Sequence, residues 1–285
     1  MADESTPLVT GRLDALGGVV SVDGRISWFA PEARGFAPIN QYLLREGDGA
    51  LLIDSGVPVH ERSLLAQLDR LLAPEARLSI LHTRMVEFDS AGNSGAVLRE
   101  RPVEVMYGHF PADQWIHFRP EFDEVSDTLP GSLWPAGRKR DCRLLHPGDE
   151  IAVDSAGTRI VDVIAAPLRL LATYWVYDRA TRTLFTSDSF GHAISSEPNG
   201  PRLVEAGNDA TGYAEVRDHL FGKFDWLLDA DTRVLGAQLA TIFETYAIDT
   251  IAPGYGCILH GRDVVERHYG LLQQALGEVA ARVSA

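Results

Sequence analysis

Short runs of apolar residues alternate with polar breaks through the first third of the chain. "GVVSV", "ISWFA", "QYLLREG" and "ALLIDSG" each have the length and alternation of a strand. The last two are separated by "DG", a hairpin signal. The pattern then changes period. In "PVHERSLLAQLDRLL", Leu64, Leu65, Leu68, Leu71 and Leu72 recur at helical spacing. "RLSILH" predicts a buried strand, "AGNSGAVLRE" a short helix and "VEVMYG" another strand. Residues 111 to 141, rich in Pro, Trp and charge, predict an irregular excursion. "DEIAVDSAGTRIVDVIAAP" reads as two strands about a glycine turn, and "YWVYDRATRTLFTSD" as a hairpin turning near "DRAT". Helices are expected near 210–222 and 230–246, then a strand in "DTIAPGYG" that runs into a Gly-rich loop. Over residues 262–283, Val265, His268, Leu272, Leu276, Val279 and Val283 mark one stripe of a closing amphipathic helix. Strands in two groups, each attended by helices, predict an α/β protein of two packed sheets with helices outside.

Composition narrows the partners. With 26 Lys and Arg against 40 Asp and Glu, the 285 residues carry a net charge of −14, which disfavours nucleic acid and anionic membranes. Hydrophobic residues, at 45%, suffice for a large core, yet no apolar stretch approaches the length of a membrane span. Cys142 and Cys257 form neither a disulfide framework nor a zinc knuckle. The acidic N-terminus lacks an apolar signal region, so a soluble, cytoplasmic protein is expected.

Candidate chemistry collects where strands stop. "ALLIDSG" ends on Asp54, "LSILHTRMVEFDSAG" presents Glu87 and Asp89, and "TLFTSDSFG" presents Asp188. "VIAAPLRLL" adds Arg169 and "TIAPGYG" adds Tyr255. Loops at strand ends are the usual seat of function, and a small-molecule pocket is expected there.

Five of these segments, in this order over roughly residues 15 to 275, resemble the metallo-β-lactamase superfamily, and within it the flavodiiron and oxygen-binding diiron branch. The resemblance implies a four-layer αββα sandwich, a single domain over 1–285 without the flavodoxin-like domain that carries flavin, and a homodimer. The family motif His-x-His/Glu-x-Asp-His falls on Met85, Val86, Glu87, Phe88, Asp89 and Ser90. The acids Glu87 and Asp89 stand, and the flanking histidines are Met85 and Ser90. The third histidine position is Arg169, the bridging aspartate is Asp188, and the last histidine is Tyr255. By this alignment three acids remain and four imidazoles are gone.

Thioether and hydroxyl are poor replacements for imidazole, and a guanidinium is no ligand at all. Tyr255 alone among the replacements has coordinating potential, as a phenolate. Carboxylates about 4 Å apart repel by roughly 4 kcal/mol per pair at an effective dielectric of 20. Arg169 is therefore expected to take the place of the metal beside Glu87, Asp89 or Asp188. The pocket would be metal-free or metal-poor and would bind a small molecule. If it also catalyses, Glu87 or Asp89 is the base, with Arg169 and Tyr255 beside it and Met85, Ser90, Asp188, His82 and His192 contacting substrate. Two alternatives stay open. One is an oxidoreductase acting on O₂ or a similar oxidant, with iron on Glu87, Asp89, Asp188, Tyr255 and displaced histidines such as His82 or His192. The other is a hydrolase of esters, lactones or thioesters, which normally needs a metal-activated water.

Each residue also has a plainer role. Glu87, Asp89 and Asp188 cap loops and helix starts in many proteins. Asp54 suits a structural loop contact, Met85 core filling and Tyr255 a pocket wall. His260 is a third histidine near a strand end, while His60, His109, His117, His146, His219 and His268 show no ligand spacing. Trp115, His117, Phe118 and Phe122 in the excursion suit either a pocket lining or a dimer contact.

Overall fold

A computed structural model describes residues 4–84, 87–108 and 141–283. Met85 and the aromatic group Trp115, His117, Phe118 and Phe122 lie outside the described residues. The chain divides into two compact units. One comprises Met1–Gly18, Ile39–Ala165 and Leu171–Thr181; the other comprises Val19–Pro38, Ala166–Leu170 and Arg182–Ala285.

The first unit is built on a seven-stranded sheet. Thr6–Val9, Leu13–Leu16, Gln41–Glu46 and Gly49–Ile53 pair antiparallel in that order, and Arg77–Leu81, Val103–Gly108 and Asp141–Leu144 continue the sheet in parallel. The parallel step is made by the helix Glu61–Leu71, whose inward face carries Leu64, Gln67 and Leu68. With Leu43, Leu52, Ile80, Val97 and Met106 these leucines form a buried apolar core, each fully buried leucine contributing about 1.5–3 kcal/mol. The expected "DG" turn lies one residue earlier. Gly47 and Asp48 form the two-residue loop, Gly47 has φ +49°, and Gly49 already pairs with Glu46. Gly49 is needed because a Cβ there would stand 2.0 Å from the Val153 carbonyl oxygen.

Glu150–Ala152, Ile160–Ala165 and Tyr174–Asp178 pair antiparallel in the same unit. They are fastened by Arg159, fully buried, which pairs with Asp178 and donates to the Arg12 carbonyl at 2.7 Å and the Arg45 carbonyl at 3.1 Å. A buried guanidinium survives only with such complete pairing.

In the second unit Thr183–Ser187 pairs parallel with Thr250–Pro253, which pairs antiparallel with Ile258–His260. A small ladder joins Val19–Val22 to Gly35–Pro38. The expected strand "ISWFA" is absent; Trp28 and Phe29 lie in a turn and spend their rings on packing. Helices Tyr213–Lys223, Arg233–Thr245 and Arg262–Val283 occupy the expected places. The last buries the predicted stripe from Val265 through His268, Leu272 and Leu276 to Val279, while Val283, its expected end, is exposed. No helix among the described residues is long and apolar enough to cross a membrane.

Candidate functional site

In the first unit the chain leaves strand Arg77–Leu81 through His82, Thr83 and Arg84, and re-enters helix at Phe88–Ala91. Asp54 leaves the neighbouring strand in the left-handed region, φ +59°. Its carboxylate accepts the Thr83 amide at 2.8 Å, the Thr83 hydroxyl at 2.7 Å and the Ser90 hydroxyl. Asp54 thus has the loop-fixing role expected of it. Burial pushes its carboxyl up to about 7, against the pull of the Ser90 and Thr83 bonds. Ser90 spends its hydroxyl here and is buried. His82 is also fixed internally: its Nε2 lies 2.7 Å from Ser94 Oγ, itself 2.9 Å from Ser55 Oγ.

The two acids of the turn meet a cation from the turn itself. Arg84 Nη2 stands 2.8 Å from Glu87 Oε2 and hydrogen-bonds Asp89 Oδ1. The side chains of Arg84 and Asp89 are 3% and 8% exposed, so their pairing is nearly desolvated; that of Glu87, at 34%, keeps water on one side. Arg84 is held from behind by a backbone bridge to Thr173. From the sequence the expected compensating cation is Arg169. Arg169 is exposed and donates to the Ala166 carbonyl, three residues back.

The second unit repeats the device with different chemistry. Ser187 and Phe190 take positive φ, 51° and 64°, and bend the chain around Asp188. Lys223, from the end of helix Tyr213–Lys223, places Nζ 3.7 Å from Asp188 Oδ2. Both side chains are buried, at 4% and 2% exposure. The same ammonium lies 4.8 Å from the centre of the Tyr255 ring, a cation–π distance. Tyr255 is fully buried, stacked on Trp28 at 5.4 Å and edge-on to Phe29 at 5.3 Å. Its hydroxyl donates to the Asp188 carbonyl at 3.1 Å. Gly191 passes so close that a Cβ would lie 2.6 Å from the ring. Tyr255 is thus spent on internal packing and on its bond to Asp188.

Three histidines pack beside it. His192 stacks on His268 at 5.0 Å and meets His219 edge-on at 6.1 Å, and His219 lies 6.1 Å from Tyr255. Burial, and then the neighbouring Lys223, hold the His219 imidazole down to about 3. Burial and the other two imidazoles keep His192 well below its ordinary value. Of these only His192 was a candidate from the sequence. His268 had a visible signal, since it interrupts an apolar stripe and a buried imidazole must find partners.

No family profile matches the chain, and no curated protein matches it. Solved structures do. The rubredoxin oxygen:oxidoreductase of Desulfovibrio gigas superposes with a TM-score of 0.66 at 17% identity, over 96% of this chain and 62% of that one. The metal-soaked flavodiiron core from Synechocystis gives 0.65 at 18%, over 96% and 61%. A fragment of a putative diflavin flavoprotein from Nostoc gives 0.63 at 15%, over 99% and 96%. The fold is that of the flavodiiron core, the αββα metallo-β-lactamase fold. The chain spans about three fifths of the first two proteins.

A pair of iron ions needs imidazoles and open carboxylates. Among the described residues no group of three or more His, Cys, Asp and Glu is placed to hold a metal ion. The acids that the family motif would supply are already engaged by Arg84 and Lys223. Among the described residues, the donors at these positions do not fit a diiron centre.

Proposed function

We propose that this chain is a flavodiiron-core protein that works without a diiron centre, its acid clusters neutralised by its own side chains. One observation carries the reading: Arg84, buried, is paired with both Glu87 and Asp89. A guanidinium cannot give up its proton, so unlike a water or a hydroxyl it cannot yield these oxygens to a metal by ionising. Displacing it would leave a buried cation unpaired, a cost of about 3–5 kcal/mol that any metal would have to offset. The Lys223–Asp188 contact supports the same reading in the second unit. The activity is then binding of a small molecule or acid–base chemistry by the chain's own groups, with Glu87, the most exposed acid of its turn, the candidate base.

A second reading takes its support from the fold shared with the rubredoxin oxygen:oxidoreductase, namely an oxidoreductase that reduces O₂ at an atypical iron site. Oxygen uptake separates the two. The chain, incubated with ferrous iron under anaerobic conditions and desalted, is supplied with dithionite-reduced rubredoxin and followed with an oxygen electrode. Uptake no faster than the protein-free control is expected; sustained uptake that scales with chain concentration would transfer the proposal to the second reading.

A further inference from the structure

The second unit contains a cavity of about 350 Å³ that owes nothing to the acid clusters. Its wall includes His192, Ser195, Asn208, Glu215 and Cys257, with apolar surface from Leu203 and Val204. The volume lies at the small end of the range of about 300–1,000 Å³ typical of small-molecule sites.

His192 is backed by a chain of hydrogen bonds. Its Nε2 lies 2.7 Å from His268 Nδ1, and His268 Nε2 lies 3.1 Å from Asp209 Oδ2. Asp209 is anchored by Arg267 and by the Thr211 amide at 3.1 Å. Burial opposes its ionisation, but the Thr211 amide, His268 and Arg267 outweigh burial and hold its carboxyl below the usual value. An ionised carboxylate only accepts hydrogen bonds. That fixes the rest. His268, kept neutral by burial, must carry its proton on Nε2 and accept at Nδ1. His192 must then carry its proton on Nε2, leaving the lone pair on Nδ1. Three residues far apart in sequence thus set one imidazole on the cavity wall as a neutral acceptor of fixed tautomer.

The wall also selects on charge. Among the described residues Glu215 is its one acidic side chain, and no Lys or Arg lines it. Burial pushes the Cys257 thiol up to about 11, so it stays protonated and donates to the Pro201 carbonyl at 3.6 Å.

We infer that this cavity is a binding site for a small neutral or cationic molecule that donates an O–H or N–H hydrogen bond to His192 Nδ1. The inference goes beyond the proposed function and stands whether or not iron binds elsewhere.

The test uses four probes of one shape and different head groups: benzyl alcohol, benzylamine, toluene and benzoate. Each is titrated into the full chain labelled with ¹⁵N-histidine and followed by NMR. The alcohol and the amine are expected to bind roughly tenfold more tightly than toluene, one hydrogen bond's worth, and to move the His192 Nδ1 resonance. Benzoate should bind most weakly. His192→Phe keeps a ring but removes the lone pair, and should abolish the preference for the alcohol over toluene without weakening toluene. If that variant does not fold, Asp209→Asn serves, since it releases the His268 tautomer; the same preference should fall. Equal binding of toluene and benzyl alcohol, a preference for benzoate, no saturable binding by any probe, or a preference that survives the substitution would each overturn the inference.

Discussion

The turn Arg84–Asp89 and the corner at Asp188 address one electrostatic problem by different means. Each sets carboxylate in a nearly dry environment, and each answers it with a cation from the chain. In the turn the cation is local: Arg84 lies three residues before Glu87 and five before Asp89, and a single guanidinium nitrogen meets both. At the corner the cation comes from 35 residues away, on a helix, and stands 3.7 Å from its carboxylate rather than at hydrogen-bond distance. Its second contact is the face of Tyr255. A guanidinium suits a pair of acids because it is planar and holds several donors; an ammonium suits one acid and one ring. Neutralising buried acids therefore does not dictate the residue type. The number of acids and the aromatic surroundings do.

This contrast orders the expected effects. Removing Arg84, as Arg84→Met, leaves two acids facing one another, one of them buried, and should cost about 3–5 kcal/mol in urea unfolding. Adding Glu87→Gln and Asp89→Asn should recover most of the loss. A triple variant no more stable than Arg84→Met alone would contradict this pairing in the turn. Lys223→Met leaves a single buried acid and should cost less, about 3 kcal/mol, with rescue by Asp188→Asn.

The next effect is in pH. His219 binds its proton near 6.5 unfolded and about 3 folded, so the unfolded chain takes up more protons between those values and stability rises with pH across that window. Asp54 acts in the opposite sense. Its carboxyl, about 7 folded against 3.8 unfolded, keeps a proton the unfolded chain has lost, so its contribution falls as pH climbs from 3.8 to about 7. Melting temperatures between pH 4 and pH 7 should therefore tilt toward acid in His219→Leu and toward neutral pH in Asp54→Asn, relative to the parent chain. Identical slopes in parent and variants would contradict the burial of these groups. The smallest effect concerns Cys257. In a Cys142→Ser background its thiol, protonated at neutral pH, should react with a disulfide reagent far more slowly than a free cysteine in solution.

The two regions also differ in how far the sequence disclosed them. The leucine spacing of Glu61–Leu71 and the stripe of Arg262–Val283 were legible because one period and one buried face determine each helix. The positions of Glu87, Asp89 and Asp188 at strand ends followed from the same patterns. The partner of Asp188 did not, because Lys223 is one charged residue at the end of a helix and nothing local marks it as buried. Arg84 is the instructive miss, since it sits inside "LHTRMVEFDSAGN", one residue before Met85. The family alignment places a cation at a lost histidine position, Arg169, whereas burial selects an arginine already adjacent to the acids. "ISWFA" failed for a related reason. Its apolar run matches a strand, but Trp28 and Phe29 are claimed by packing against Tyr255.

The central claim is that side-chain cations stand where a metal would be required. Its most direct test is elemental mass spectrometry of the full chain, expressed without a polyhistidine tag in iron-supplemented medium and measured beside Arg84→Ala. The account predicts iron and zinc far below stoichiometric in the parent chain, with no increase on iron supplementation. Iron approaching or exceeding one ion per chain in the parent would contradict it, because Arg84 could not then be holding Glu87 and Asp89 to itself.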